Sequence, residues 1–155
     1  MTTTIGFAPD EIMTGESTRS ARLKWVVVVN EALPPGLAVN AAVCAAAATT
    51  AQVSGLLGHP VNDADGHEHP GLPWTGCTVL VADAATIHSI RAKAAAHEET
   101  FVADMTASAQ QTRVYDEWAS SIAGSTSDQI EYYAISIVGP RNRVDRLVSR
   151  LSLMP

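Results

Sequence analysis

Lys24-Trp25-Val26-Val27-Val28-Val29 is an unbroken apolar run behind a lysine, and four of its members are β-branched. A strand with one wet face alternates apolar and polar residues, whereas a continuous run of this kind suits a strand covered on both faces. Asn30-Glu31-Ala32-Leu33-Pro34-Pro35-Gly36 ends it, since two prolines and a glycine stop both ladder and helix. The alanine-rich stretch from Leu37 to about Val53 has strong helix propensity, and its small side chains allow close approach to a sheet.

Outward from this strand and helix the pattern repeats. Gly55–Thr75 is crowded with Gly, Pro, Asp and His and reads as a long loop, a feature more often functional than decorative. Cys77–Val81 reads as a strand, and Asp83 caps a helix over roughly Ala84–Glu98 with Ile87, Ile90 and Ala94 on one face. Phe101–Asp104 is a short strand. Ser108–Ile122 is expected to be one helix, with Val114, Trp118 and Ile122 four residues apart and Gly124 at its end. Ile130–Val138 is a further strand. Gly139-Pro140 then opens a helix with a stripe of Val144, Leu147, Val148 and Leu151, and its arginines fall largely outside that stripe. Strands alternating with helices imply a sheet covered by helices.

Bulk properties bound the function. A chain of 155 residues has room for one domain with a real core. Residues 1–22 lack sustained periodicity and read as a flexible leader, with a single domain over 23–155. The formal charge of −6 disfavours binding to nucleic acid, which rests on lysine and arginine displacing counterions. Two cysteines, no signal-peptide core and no apolar stretch of membrane-spanning length point to a cytoplasmic protein with reduced thiols and no membrane partner.

Three blocks resemble the peptidyl-tRNA hydrolase II family. They are Lys24–Val29 with Leu33 and Gly36, Val79–Asp104, and Ile135–Leu153 with its Ser136-Ile137-Val138-Gly139-Pro140. Within that superfamily the chain is most similar to an uncharacterised bacterial branch, domain of unknown function 2000. The Asp63-Ala64-Asp65-Gly66 loop and an extra helix near Tyr115 set it apart. The resemblance implies an α/β fold with a four-stranded mixed sheet, helices on both faces and a homodimer. Carried over residue by residue, the hydrolase site is incomplete. Leu37 stands where the hydrolases place a lysine, Ala41 and Cys44 where they place a glutamine and a histidine, and Met105-Thr106-Ala107-Ser108 where they have Ala-Gly-Arg-Thr. The glycine equivalent to Gly36 and the aspartate, as Asp104, match. The lysine is a fixed positive charge beside ester and phosphates, and leucine cannot supply one.

The candidate residues follow. Asp63-Ala64-Asp65-Gly66-His67-Glu68-His69 is the densest group of metal-capable side chains and partly echoes a calcium loop. It lacks the closing glutamate, so a solvated turn is the preferred reading, with no metal. His69 and Asp63 without metal form an acid–base candidate. Cys44 reads first as a buried structural thiol and otherwise as a ligand-facing one. Asn40 interrupts the alanine helix and can serve either a pocket or a loop carbonyl. Asp104 and Thr106 end a strand, where open α/β sheets bind ligands, though Asp104 can equally be a helix cap. The arginines after Pro140 read as a solvated face more readily than as a phosphate grip.

The expectation is therefore a small-molecule-processing or ligand-binding protein with no cofactor. Its catalytic candidates are Asp104, Thr106, His69 and Asp63, and its ligand-binding candidates are Asn40, Cys44 and Gly36. The alternatives are a peptidyl-tRNA hydrolase with a rearranged site and a non-catalytic interaction module.

Overall fold

The computed structural model describes residues 4–155, so the first three residues of the expected leader lie outside the described residues. The valine run forms β1 (Leu23–Asn30), and the alanine-rich stretch forms α1 (Pro35–Gln52). A small hairpin of β2 (Val61–Asn62) and β3 (Glu68–His69) stands within the following loop. Then come β4 (Thr78–Ala82), α2 (Ala84–Ala95), β5 (Phe101–Thr106), α3 (Ala107–Gln111) and α4 (Tyr115–Ala123). The chain closes with β6 (Tyr132–Pro140), α5 (Arg141–Val148) and β7 (Ser152–Leu153).

β1 lies at the centre of a mixed sheet ordered β5-β6-β1-β4-β7. It runs parallel to β4 and antiparallel to β6. Its side chains split between two buried layers, which is why the run could be apolar throughout. Trp25, Val27 and Val29 pack with Ala38 and Ala41 of α1. Val26 and Val28 pack with Ile87 and Ile90 of α2 and Val144 of α5. Helices thus cover both faces.

Two expectations need correction. The sheet has five strands in place of four, because Ser152 and Leu153 pair with Val81 and Leu80 of β4. Two residues are too few for an alternation to be visible in sequence. The single helix expected over Ser108–Ile122 is two. Thr112 and Val114 both adopt extended backbone and break it into α3 and α4. Both are β-branched, which weakens a helix through lost side-chain freedom, and the Thr112 hydroxyl instead donates to the Ser108 carbonyl at 2.8 Å.

The segment before β1 is irregular and docked. Phe7 is buried and its ring packs on Trp74 with centroids 4.9 Å apart. Arg22 holds the segment by donating to Glu11 at 2.7 Å and to the Gly6 carbonyl at 2.9 Å. Beneath α1 a buried polar chain runs in one direction. The Trp25 indole N–H donates to Ser136 Oγ (2.8 Å), Ser136 pairs with Thr49 Oγ1 (2.6 Å), and Thr49 donates to the Ala45 carbonyl (2.8 Å). Because the Thr49 proton is spent on Ala45, Ser136 must be the donor to Thr49, and every member is satisfied.

Candidate functional site: the cleft between α1 and α4

The break between α3 and α4 shapes the site. It turns α4 back beside edge strand β5, leaving a cleft of about 440 Å³ between α4 and α1. Cys44 and Ala48 of α1 form one wall and Met105 of β5 lies at its base. The other wall is Arg113, Tyr115 and Trp118. Tyr115 and Trp118 meet edge to face, with centroids 5.0 Å apart at 65°, and Tyr115 is 75% exposed at the mouth. Neither ring belongs to the two main core clusters. Arg113 makes no ion pair among the described residues.

Thr106 supports this cleft from behind. It is buried at the end of β5, caps α3 by accepting from the Ala109 N–H at 3.3 Å, and accepts from the Trp118 indole N–H at 2.9 Å. Its hydroxyl is thereby committed to capping and to placing Trp118. Asp104 borders the cleft on the edge strand, but its carboxylate is taken by Arg91 of α2 at 3.1 Å. Arg91 in turn lies over the Tyr132 ring, 5.0 Å from its centroid. Neither residue is presented as a free acid or base.

Asn40 is exposed on α1, and its Oδ1 accepts from Gln110 of α3 at 3.1 Å. The same Gln110 amide donates to the Leu37 carbonyl at 2.9 Å. Asn40 therefore ties α3 to the start of α1 above the cleft. Gly36 lies in the first turn of α1 with open space where a Cβ would sit, so no close approach requires glycine there.

Cys44 is exposed, which corrects the reading of it as a buried structural thiol. No charged residue marks the outer side of α1, and its many alanines suit either side, so its sequence could not say which face the sheet would cover. Among the described residues no histidine or carboxylate is hydrogen-bonded to its sulfur.

The Asp63–His69 loop is not brought to this site. Asp104 stands level with Val28 through their shared neighbour Ile135, near the end of β1 where α1 begins. The loop leaves the other end of α1, where Ser54 bridges Gly6 beside the start of β1. At its tip Asp63 Oδ1 accepts from the Asp65 and His67 N–H groups, both at 2.9 Å. Gly66 turns with φ +85, a left-handed conformation that favours glycine. His69 Nε2 lies 3.2 Å from Asp63 Oδ2. The His67 backbone N–H and then the His69 ring hold the Asp63 carboxyl below its usual range. Among the described residues no group of three metal-capable side chains assembles there or elsewhere. The loop is turn chemistry at an exposed tip.

The sequence reading missed Arg113, Tyr115 and Trp118 as site residues. The four-residue spacing of Val114, Trp118 and Ile122 suggests one continuous helix, and only the β-branched pair Thr112 and Val114 hints at the break that brings Trp118 to the cleft.

Fold and cleft define the class: an α/β protein with a mixed sheet, helices on both faces and one aromatic-walled cleft beside an edge strand. The chain belongs to the family described as Protein of unknown function (DUF2000), whose profile matches residues 23–155. A solved structure of a protein of unknown function from Agrobacterium tumefaciens strain C58 is similar, with a TM-score of 0.78 over 86% of this chain and 98% of that one. At 15% identity that likeness shows the fold alone. No curated protein matches the chain. No helix among the described residues is long and apolar enough to cross a membrane.

Proposed function

We propose that this protein binds a small molecule with a flat apolar body and an acidic group in the cleft between α1 and α4, on a peptidyl-tRNA hydrolase II-like fold without the parent hydrolase activity. The observation that carries the reading is the pairing of Tyr115 and Trp118 with Arg113 around a cleft of about 440 Å³. That volume lies in the range of small-ligand pockets, which are mostly apolar with a few placed polar groups. The rings and Met105 suit a planar body, and the unpaired guanidinium suits a carboxylate. The order of strands and helices from β1 to α5 supports the hydrolase-like fold. Leu37 at the start of α1 argues against the hydrolase chemistry, because no lysine stands there.

The test is a titration of the full chain with 1-naphthoate and with its neutral amide, followed by the Trp118 indole N–H resonance. Saturable shifts are expected, with the carboxylate bound more tightly and that preference lost in Arg113→Gln. Failure of both compounds to move Trp118 would overturn the reading. In parallel, N-blocked aminoacyl-tRNA is expected to remain intact beside an authentic hydrolase, and comparable turnover would restore the alternative of a rearranged hydrolase site.

The homodimer implied by the resemblance has a candidate surface. From Pro35 to Gln52 α1 carries no charged residue, yet Leu37, Val39 and Val43 are 45%, 56% and 60% exposed. A two-fold interface sets a patch against itself, so a charge-free patch meets no like-charge repulsion there.

A further inference from the structure

We infer that the groove between α2 and α5, on the face of the sheet away from α1, is a second binding site, for a small molecule bearing two or more phosphate charges. The chain holds 16 acidic against 10 basic residues, so a cluster of cations is not the expected default on its surface. A hollow of about 370 Å³ is nonetheless lined by Lys93 and His97 at the end of α2 and by Arg143, Arg146 and Leu147 of α5. A second hollow shares Lys93, Arg146 and Leu147 with it and extends the groove to Arg150.

The gathering of unpaired cations around one hollow, with a buried guanidinium nitrogen among them, distinguishes this cluster from a solvated face. Outside the groove Arg22 is paired with Glu11, Lys24 with Asp145 and Arg91 with Asp104, and Arg141 is held by the Ala21 and Thr18 carbonyls. Arg19 and Arg113 stand apart from one another without an ion pair among the described residues. In the groove only Arg143 reaches a carboxylate. Its Nη1 stands 3.6 Å from Glu99, beyond hydrogen-bond range, and that same Nη1 is buried without a partner. Lys93, Arg146 and Arg150 lie within 4 Å of no carboxylate among the described residues. Arg146 spends only its Nε, in a long 3.4 Å contact to the Asn142 carbonyl of its own helix.

A buried guanidinium N–H without an acceptor costs free energy, and an anion seated in the groove would remove that cost. Three cations from two helices around one hollow, with Arg150 further along the groove, ask for a compact ligand rich in oxygen acceptors. Phosphate oxygens meet that requirement through short charge-assisted hydrogen bonds. The size of the hollow and the charge of −6 on the whole chain favour a small polyanion over a nucleic acid backbone. A long polyanion meets the repulsion of the whole surface, whereas a small one feels chiefly the groove. This site is independent of the α1–α4 cleft and of the ligand proposed there.

The test is calorimetric titration of the full chain with inorganic pyrophosphate, with adenosine diphosphate and a single-stranded oligonucleotide as further arms. Saturable pyrophosphate binding is expected, weakened about tenfold in Arg146→Gln and in Lys93→Gln, unchanged in Arg19→Gln, and falling steadily as salt rises. Both groove variants change exposed side chains, so their fold is expected to persist, and circular dichroism checks it. Tighter binding of adenosine diphosphate than of pyrophosphate would still uphold the site and identify a nucleotide as its source of phosphate. No saturation by about 10 mM pyrophosphate at low salt would overturn it. Equal affinity in the groove variants would do the same. Binding of the oligonucleotide without pyrophosphate would replace it with a nucleic-acid surface.

Discussion

The Trp118 indole N–H donates to Thr106 Oγ1 at 2.9 Å, so the residue that ends β5 also sets the wall of the cleft. Thr106 caps α3 at the same time. Its replacement by alanine removes a cap and leaves the indole N–H without its acceptor, for a combined cost of about 1–3 kcal/mol. Thr106→Ser keeps the hydroxyl and is expected to recover most of that loss. Urea denaturation measures the cost, and the Trp118 indole resonance reports whether the wall has moved. Equal stability of the alanine and serine variants would show that the cap and the indole bond contribute little.

A second prediction concerns the polar chain beneath α1. Ser136 is fully buried, and its removal strands the Trp25 N–H in the apolar layer while Thr49 keeps its bond to Ala45. Ser136→Ala is therefore expected to destabilise by about 1–3 kcal/mol. Thr49→Val is expected to cost less, because Ser136 still accepts from Trp25 and loses only an acceptor for its own proton. The denaturation midpoints of the two variants rank them, and the reverse order would contradict the direction assigned to the chain of donors.

These two features show what the sequence could and could not disclose. The run from Trp25 to Val29 announced a strand covered on both faces, because only two-sided burial tolerates such a run. Ile87, Ile90 and Ala94 marked the buried face of α2 because they recur at spacings of three and four. Alanine-rich α1 offered no such contrast, so Cys44 was expected inside and lies outside. The break at Thr112–Val114 carries neither proline nor glycine, and β7 is two residues long. The Asp63–His69 loop drew notice for its composition, but its position was decided by the direction of α1, which composition does not encode.

Acid should loosen the docked segment before β1. The Arg22 guanidinium on Glu11, followed by the Ala8 N–H, lowers the Glu11 pKa from 4.5 to about 2. A depressed folded pKa means that the contribution is fully present above about 4.5 and is lost as the pH falls toward 2. Amide exchange at Phe7 and Ala8 is expected to quicken across that window relative to the core. Glu11→Gln should exchange faster at neutral pH and lose this component of the acid response. If acidification quickened exchange equally in both proteins, the Arg22–Glu11 pair would not be what holds the segment.

The bare outer face of α1 yields the last prediction. A helix with no charge over Pro35–Gln52 and with Val43 60% exposed is not fitted to water on that side. Covering the face with a second copy would remove apolar surface from water at about 25 cal/mol per Å². The cost of association must be met from that gain, and a charge placed in the patch would be buried by the partner without an opposite charge to pair with. Sedimentation of the full chain is expected to show a dimer of the 16.3 kDa protomer. Val43→Lys should sediment as a monomer with unchanged circular dichroism, and Val43→Ala should remain largely dimeric. A wild-type chain that stays monomeric at every concentration would leave this face free for another partner. A dimer indifferent to Val43→Lys would place the contact on a different surface.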